Sequence, residues 1–417
     1  MKKGFTLIEL LAVIVILAII AVITVPKIAD MILSSRMGGA EDSFYGTLKA
    51  AELGYTKALQ SKTDLKGDIC DLSKTSGDKV TCTNGTILSF TGKVPEKGTL
   101  IINSTGSTIA KEITLNGYKC YGDLSTKNPC VKTTDKVANE TLISKVTTTG
   151  QGLYLDSANN TLHAETKRYI YKGANPDNYV YFNGEEWRIV AVENDGAIKI
   201  VKTSNFTSRF YDDSSRNNKE NSYCLQFPES QYWGCNVWSA ITGTYTNGKS
   251  SGTVTKDSAL NTYLNTTYFA SLNSAAKDSI QSHASYIGRV SLSTLDTLVS
   301  NQKAEELYSW SGNVALLQST DYLKATTNTA CINAISSQIS PYPCGTDNYL
   351  YMTNVIGPWT LNPYPDFPSV TTNVDHTNGR LVSVHPNDTK TILPVVYLKA
   401  NTILTGSGTS SNPYKIA

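Results

Sequence analysis

Residues 5 to 25 read FTLIELLAVIVILAIIAVITV, an apolar run that holds a single charge, Glu9, and is followed directly by Pro26. As a helix the run spans about 31 Å, the thickness of a bilayer's hydrocarbon core. The run is therefore expected to be a transmembrane segment. Only Met1, Lys2, Lys3 and Gly4 precede it, a basic stub that stays cytoplasmic and leaves everything after Pro26 outside. A secretory signal would have a shorter apolar region with a small-residue cleavage site after it. Here the small residue, Gly4, stands in front.

Lys3-Gly4 followed by Phe5-Thr6-Leu7-Ile8-Glu9 resembles the class III signal of type IV pilins and pseudopilins. The resemblance implies cleavage by a prepilin peptidase between Gly4 and Phe5, N-methylation of Phe5, and an assembly role for Glu9. It also implies that Pro26 is the helix-kinking proline of that family. A carboxylate in a spanning helix costs about 2.5–3.5 kcal/mol and usually has a partner. In a filament that partner would be the Phe5 ammonium of a neighbouring subunit, which would also fix axial register. A plain signal anchor, with Glu9 snorkelling to the headgroups, is the alternative.

After Pro26 the pattern turns amphipathic. Met37, Ala40, Phe44, Leu48, Ala51, Tyr55 and Leu59 recur at three- and four-residue steps, with charges on the other faces. One helix is expected over 5–62, weakened at Gly38-Gly39 and Gly46. Residues 63–135 read as a small head of short strands, at 99–103, 108–114 and 117–121, with an Asn116-Gly117 turn. Residues 136–166 read as a polar connector. From 167 to 417 a larger domain is expected, opening with strands at 168–172, 178–183, 186–193 and 197–203 around an Asn183-Gly184 turn. Helical patches follow at 260–272 and 275–283, and a β-branched strand lies in ILPVVYLKANTIL. The fold class is α+β: a long helix with a small antiparallel sheet, then a larger strand-rich domain with short helices. Residues 165–417, through the run from Tyr179 to Ile189, LNTYLN and PVVYLKANT, resemble a recurrent domain of uncharacterised Gram-positive surface and pilin-like proteins. That likeness implies no activity.

Charged residues make up 17% of the chain, and the two-residue basic excess equals Lys2 plus Lys3, so the mature chain has 35 basic and 35 acidic residues. No electrostatic case for nucleic acid follows. Eight cysteines fall in four adjacent couples: Cys70 and Cys82, Cys120 and Cys130, Cys224 and Cys235, Cys331 and Cys344. Outside the membrane an even count argues for disulfides, and local closure is the preferred pairing among 105 possibilities. Metal is the rival reading, but no Cys-x-x-Cys occurs and no histidine lies near a couple.

No catalytic constellation is legible, and no cofactor is implied. His163, His283, His376 and His385 read as surface histidines, and no Gly-x-Ser-x-Gly elbow accompanies Asp375-His376. Glu185-Glu186 and Glu305-Glu306 read as charged surface, and residues 211–222 as a flexible loop. Tyr232, Trp233 and Trp238 around Cys235 form either a binding platform for a glycan or protein surface, or core. The expected protein is a pilin-like filament subunit, a minor or tip subunit with an adhesive role toward a host or bacterial surface ligand. A shaft subunit and a surface enzyme borrowing the signal are the alternatives. It is expected in the cell membrane before assembly and in an extracellular pilus afterwards, with other pilin subunits as partners.

Overall fold

The computed structural model describes residues 7–62, 64–91, 94–156, 168–216, 221–226, 233–292, 298–328 and 345–416; before Met31, side chains are described only at scattered positions. The chain divides into two compact units, Met1–Asp135 and Lys136–Ala417.

In the first unit α1 runs from Leu7 to Ser61 without interruption at Pro26 or at Gly38-Gly39. Its periodic stripe is the buried face: Ala40, Phe44, Leu48, Ala51 and Tyr55 are fully buried, with Met37 and Leu59 packed at the margin. Burial of side chains such as Phe44 and Leu48 stabilises by about 1.5–3 kcal/mol each. They meet a sheet built from β1 (Asp68–Asp71), β4 (Lys97–Ile102), β5 (Thr108–Leu115), β6 (Tyr118–Gly122) and β7 (Cys130–Lys132), antiparallel in the order β1-β4-β5-β6-β7. A hairpin of β2 (Lys79–Thr81) and β3 (Ile87–Ser89) sits against the helix at Gly54. A Cβ there would lie 2.5 Å from the Ile87 carbonyl oxygen, so glycine sets the distance of approach. The β5–β6 turn is Asn116-Gly117, with φ of 55° and 82°. Two left-handed residues in a row are what a type I′ hairpin requires.

The second unit opens with α2 (Ala138–Ile143) and β8 (Gly152–Leu155). It continues through β9 (Tyr169–Lys172), β10 (Tyr179–Phe182), β11 (Glu185–Val192), β12 (Ile198–Lys202) and β13 (Thr207–Phe210). Its middle holds β14 (Ile241–Asn247), β15 (Ser250–Val254), α3 (Ala259–Tyr263), a π-helical turn over Leu264–Tyr268, α4 (Phe269–Ser271) and α5 (Ser274–Ser279). Next come β16 (Ile280–Gln281), β17 (His283–Tyr286), α6 (Leu298–Glu305), β18 (Ser309–Gly312) and α7 (Ser319–Lys324). The chain closes with β19 (Trp359–Pro363), β20 (Thr371–Val374), β21 (Leu381–Val384), β22 (Thr389–Ile392), β23 (Val395–Leu398), β24 (Leu404–Thr405) and β25 (Tyr414–Ile416).

The main sheet follows the order β16-β23-β12-β11-β10-β25-β24, and β9 joins β11 to β8. All pairs are antiparallel except β10 with β25. β11 and β12 are buried along nearly their whole length, which is why EEWRIVAV and IKIVK lack a polar alternate row after their first residues. Trp187, Ile189, Ile200, Val396 and Leu398 lie at the centre of one large core.

Two expectations are corrected. Residues 136–156 are not a connector, since α2 packs on β11 and β8 pairs with β9; 157–167 lie outside the described residues. The second helical patch ends at Ser279, and the residues up to Tyr286 are extended because β16 pairs with β23 and β17 with β18.

Candidate functional site

Gly4 and Phe5 lie outside the described residues, and Glu9 and Pro26 are within α1 with their side chains undescribed. What is described beside them is an apolar surface. Leu11, Val13, Ile14, Val15 and Ile16 are each 46–59% exposed, and Ile28, Met31 and Ile32 more than half exposed. Successive residues on a helix point about 100° apart, so this stretch is apolar on all sides. A helix of that kind is stable only inside lipid or among other helices.

Three cysteine couples close locally: Cys70–Cys82, Cys120–Cys130 and Cys224–Cys235, and no described cysteine is free. Cys331 and Cys344 lie outside the described residues. The first two links bound the first unit's core, Cys120 and Cys130 facing each other across β6 and β7. The third pins a small cluster with Tyr223, Val237, Tyr245 and Val254. No cluster of three His, Cys, Asp or Glu side chains among the described residues is placed to hold a metal ion.

Trp233 and Trp238, the two described aromatic residues of the expected platform, sit in different surroundings. Trp238 is fully buried, its ring edge-on to Tyr211 at 5.9 Å and to Trp310 at 5.6 Å. It is a core residue, because the end of β13 brings Tyr211 beneath it. Trp233 stays half-buried and stacks on His385 at 4.1 Å. Tyr232 lies outside the described residues.

The surface reading of Glu185 and Glu305 is overturned, and with them lies a buried charge network that the sequence did not announce. Arg168 donates to Asp156 at 3.0 Å, to Glu193 at 2.9 Å and to Asp321 at 2.6 Å. Lys199 Nζ, fully buried on β12, donates to Asp321 Oδ2 at 2.5 Å and to Gln318 at 2.9 Å. Lys324 on α7 reaches Asp156 at 2.9 Å and Gln302 at 2.8 Å. Three cations thus face three carboxylates between the sheet and the pair α6 and α7. Burial alone would raise the Asp321 carboxyl; Lys199 and Arg168 overturn that and hold it well below the usual range. Burial likewise opposes the charge on Lys199, and Asp321 outweighs it.

Glu305 is 1% exposed and caps α7, accepting from the Thr320 amide at 3.1 Å and from the Thr320 hydroxyl. Burial pushes its carboxyl up to about 8. Glu185 pairs with Lys202 at 2.8 Å in a largely buried bridge. Within 211–222, Tyr211, Asp212, Arg216 and Asn221 are buried, and Arg216 donates to Asp212 at 2.8 Å and to the carbonyls of Lys256, Cys235 and Val237. These four residues are core, whereas Asp213 is half-buried, Ser214, Ser215 and Ser222 are exposed, and 217–220 lie outside the described residues.

His283 is no surface histidine. Its Nε2 is 3.3 Å from Asp195, its Nδ1 is 2.8 Å from the Ala284 carbonyl, and its ring stacks on Tyr397 at 4.0 Å. Burial lowers its pKa, but the Asp195 carboxylate more than offsets this and the net shift is upward. Both contacted oxygens are acceptors, an arrangement that favours the imidazolium form. His376 is 3.9 Å from Asp375, whose oxygens already accept from Thr377 and Asn378. His163 lies outside the described residues.

With this geometry in place, the prokaryotic N-terminal methylation motif matches residues 1–25. The N-terminus is therefore the class III prepilin signal of type IV pilins and pseudopilins. It implies processing by a prepilin peptidase and assembly with other pilins, the route of a surface protein held in the membrane before it enters a pilus. No curated protein and no solved structure matches the chain. Among the described residues no helix is long and apolar enough to cross a membrane, and the side chains of the run 5–25 lie largely outside them.

Proposed function

We propose that the protein is a type IV pilin-like filament subunit, occupying a minor or tip position and carrying an adhesive role in its second unit. Residues 1–25 provide the processing signal, and the exposed all-round apolar stretch of α1 needs lipid first and neighbouring helices later. Glu9 is the residue that selects a neighbour in register. The observation that carries the minor or tip position is the size of the second unit: 282 residues with their own core are added to a first unit of 135. Repeating such an addition at every step of a shaft would crowd the filament. Adhesion is the role assigned to this large, disulfide-pinned unit.

Immunogold labelling of sheared filaments tests this. Label at one end of the filament is the expected result. Label along the whole shaft makes the chain a major subunit with the second unit on the outside, and absence from filaments overturns the reading.

A further inference from the structure

β13 and β22 form a two-stranded ribbon at the surface of the second unit, with Arg209 directly opposite Lys390 and Phe210 opposite Thr389. Like charges facing each other across strands destabilise the pair. No carboxylate among the described residues answers either cation, and Asp388, in the turn just before β22, pairs with neither. Arg209 instead lies over the Tyr263 ring, its guanidinium carbon 4.0 Å from the centroid.

The surroundings are rigid. Trp359 Nε1 donates to the Arg209 carbonyl at 2.8 Å, and the Tyr211 amide donates to the Pro386 carbonyl at 2.7 Å. Tyr263 immediately precedes the π-helical turn Leu264–Tyr268, a rare feature often found at functional sites. Asn265 holds that turn, donating to the Val314 carbonyl at 2.9 Å and accepting from the amides of Asn313 and Val314. Beyond the Phe210–Thr389 end of the ribbon, one register step from Arg209 and Lys390, the Trp233–His385 stack stands in the turn leading into β22. His385 and Lys390 are five residues apart, so the stack and the cation pair lie within about 17 Å at the extended rise per residue.

We infer that this ribbon binds an acidic glycan, a sugar chain bearing carboxylates. Arg209 and Lys390 take the carboxylates, and the parts of the Tyr263 and Trp233 rings left exposed beside Arg209 and His385 take the apolar faces of the sugars. The inference rests on the adhesive reading and names its ligand class. A polynucleotide fits less well, because phosphate-backbone affinity grows with the number of cations engaged and two stand here on a chain without net basic excess once Lys2 and Lys3 are removed.

The test uses the full mature chain in detergent, immobilised and exposed to hyaluronan, oligogalacturonate and polysialic acid, each beside its carboxyl-reduced form. At least one acidic form should bind and its reduced form should not. Arg209→Ser and Lys390→Ser should each weaken that binding about tenfold, and both keep the melting temperature because the side chains are not buried. Tyr263→Ala should weaken it with the charge intact. Binding to none of the three, equal binding of the reduced forms, unchanged binding by Arg209→Ser and Lys390→Ser, or tighter binding of duplex DNA each overturns the inference. Binding is read on isolated chains, so a failure here leaves the filament labelling result standing, and a failure there leaves this one standing.

Discussion

Lys199 Nζ and Asp321 Oδ2 stand 2.5 Å apart with both side chains sealed from solvent, joining β12 of the second unit's main sheet to α7. Asp321 also accepts from Arg168, so removal of one partner leaves charge uncompensated in a dry place. Lys199→Met is expected to cost about 3–5 kcal/mol. Denaturant unfolding of the full chain measures it, and a change under 1 kcal/mol would show that the pair is replaceable by packing.

Glu305 makes the second unit sensitive to pH. Its folded pKa of about 8 lies above its ordinary value of 4.5, so between these limits the folded state holds a proton that the unfolded chain releases. Its contribution is fully present below about pH 4.5 and is lost as pH rises toward 8. Glu305→Gln should flatten the stability profile across that window, followed by melting temperature at intervals of half a pH unit. An unchanged slope would remove Glu305 as the cause.

His283 acts with the same sign in a different window. Its folded pKa is raised above 6.5 by Asp195, so its contribution is present below that value and disappears as pH climbs through the folded one. Proton NMR of the imidazole should show titration above 6.5, returning toward the ordinary value in Asp195→Asn. A midpoint below 6.5 in the parent chain contradicts the pairing.

Peptide mapping without reduction should recover Cys70 with Cys82, Cys120 with Cys130 and Cys224 with Cys235. A fourth local link between Cys331 and Cys344 is expected by the same spacing. Replacing Cys120 and Cys130 together by serine should cost about 3 kcal/mol in the chain-entropy picture. Long-range links would require a different folding of the first unit.

Trp238→Ala should destabilise by about 3–5 kcal/mol, as expected for an emptied aromatic site in a core. Trp233→Ala should leave the fold intact, because the ring is half-buried rather than sealed in the core. Equal losses of melting temperature in the two variants would contradict this division.

The features legible from sequence are those set by local geometry. The stripe from Met37 to Leu59 declares itself because helical spacing puts all seven residues on one face, and that face is the buried one. Asn183-Gly184 declares a turn because both residues take positive φ, 52° and 83°. Features set by distant chain are not legible. Glu305 lies in a polar stretch, and what buries it, Thr320 at the start of α7, is fifteen residues on. Trp238 reads as a loop aromatic because its neighbours Tyr211 and Trp310 are 27 and 72 residues away. The connector reading of 136–156 failed for a similar reason: β8 shows no strong alternation and is held by pairing with β9. Arg209 and Lys390 carry no local signal, since only the ribbon's register sets them opposite each other.

The central claim, that this chain is processed and built into a filament, is tested most directly by mass spectrometry of the N-terminal peptide from sheared, washed filaments. The expected peptide begins at Phe5 and carries one methyl group on its amine. Filament material whose N-terminal peptide retains Met1 to Gly4 would contradict the claim.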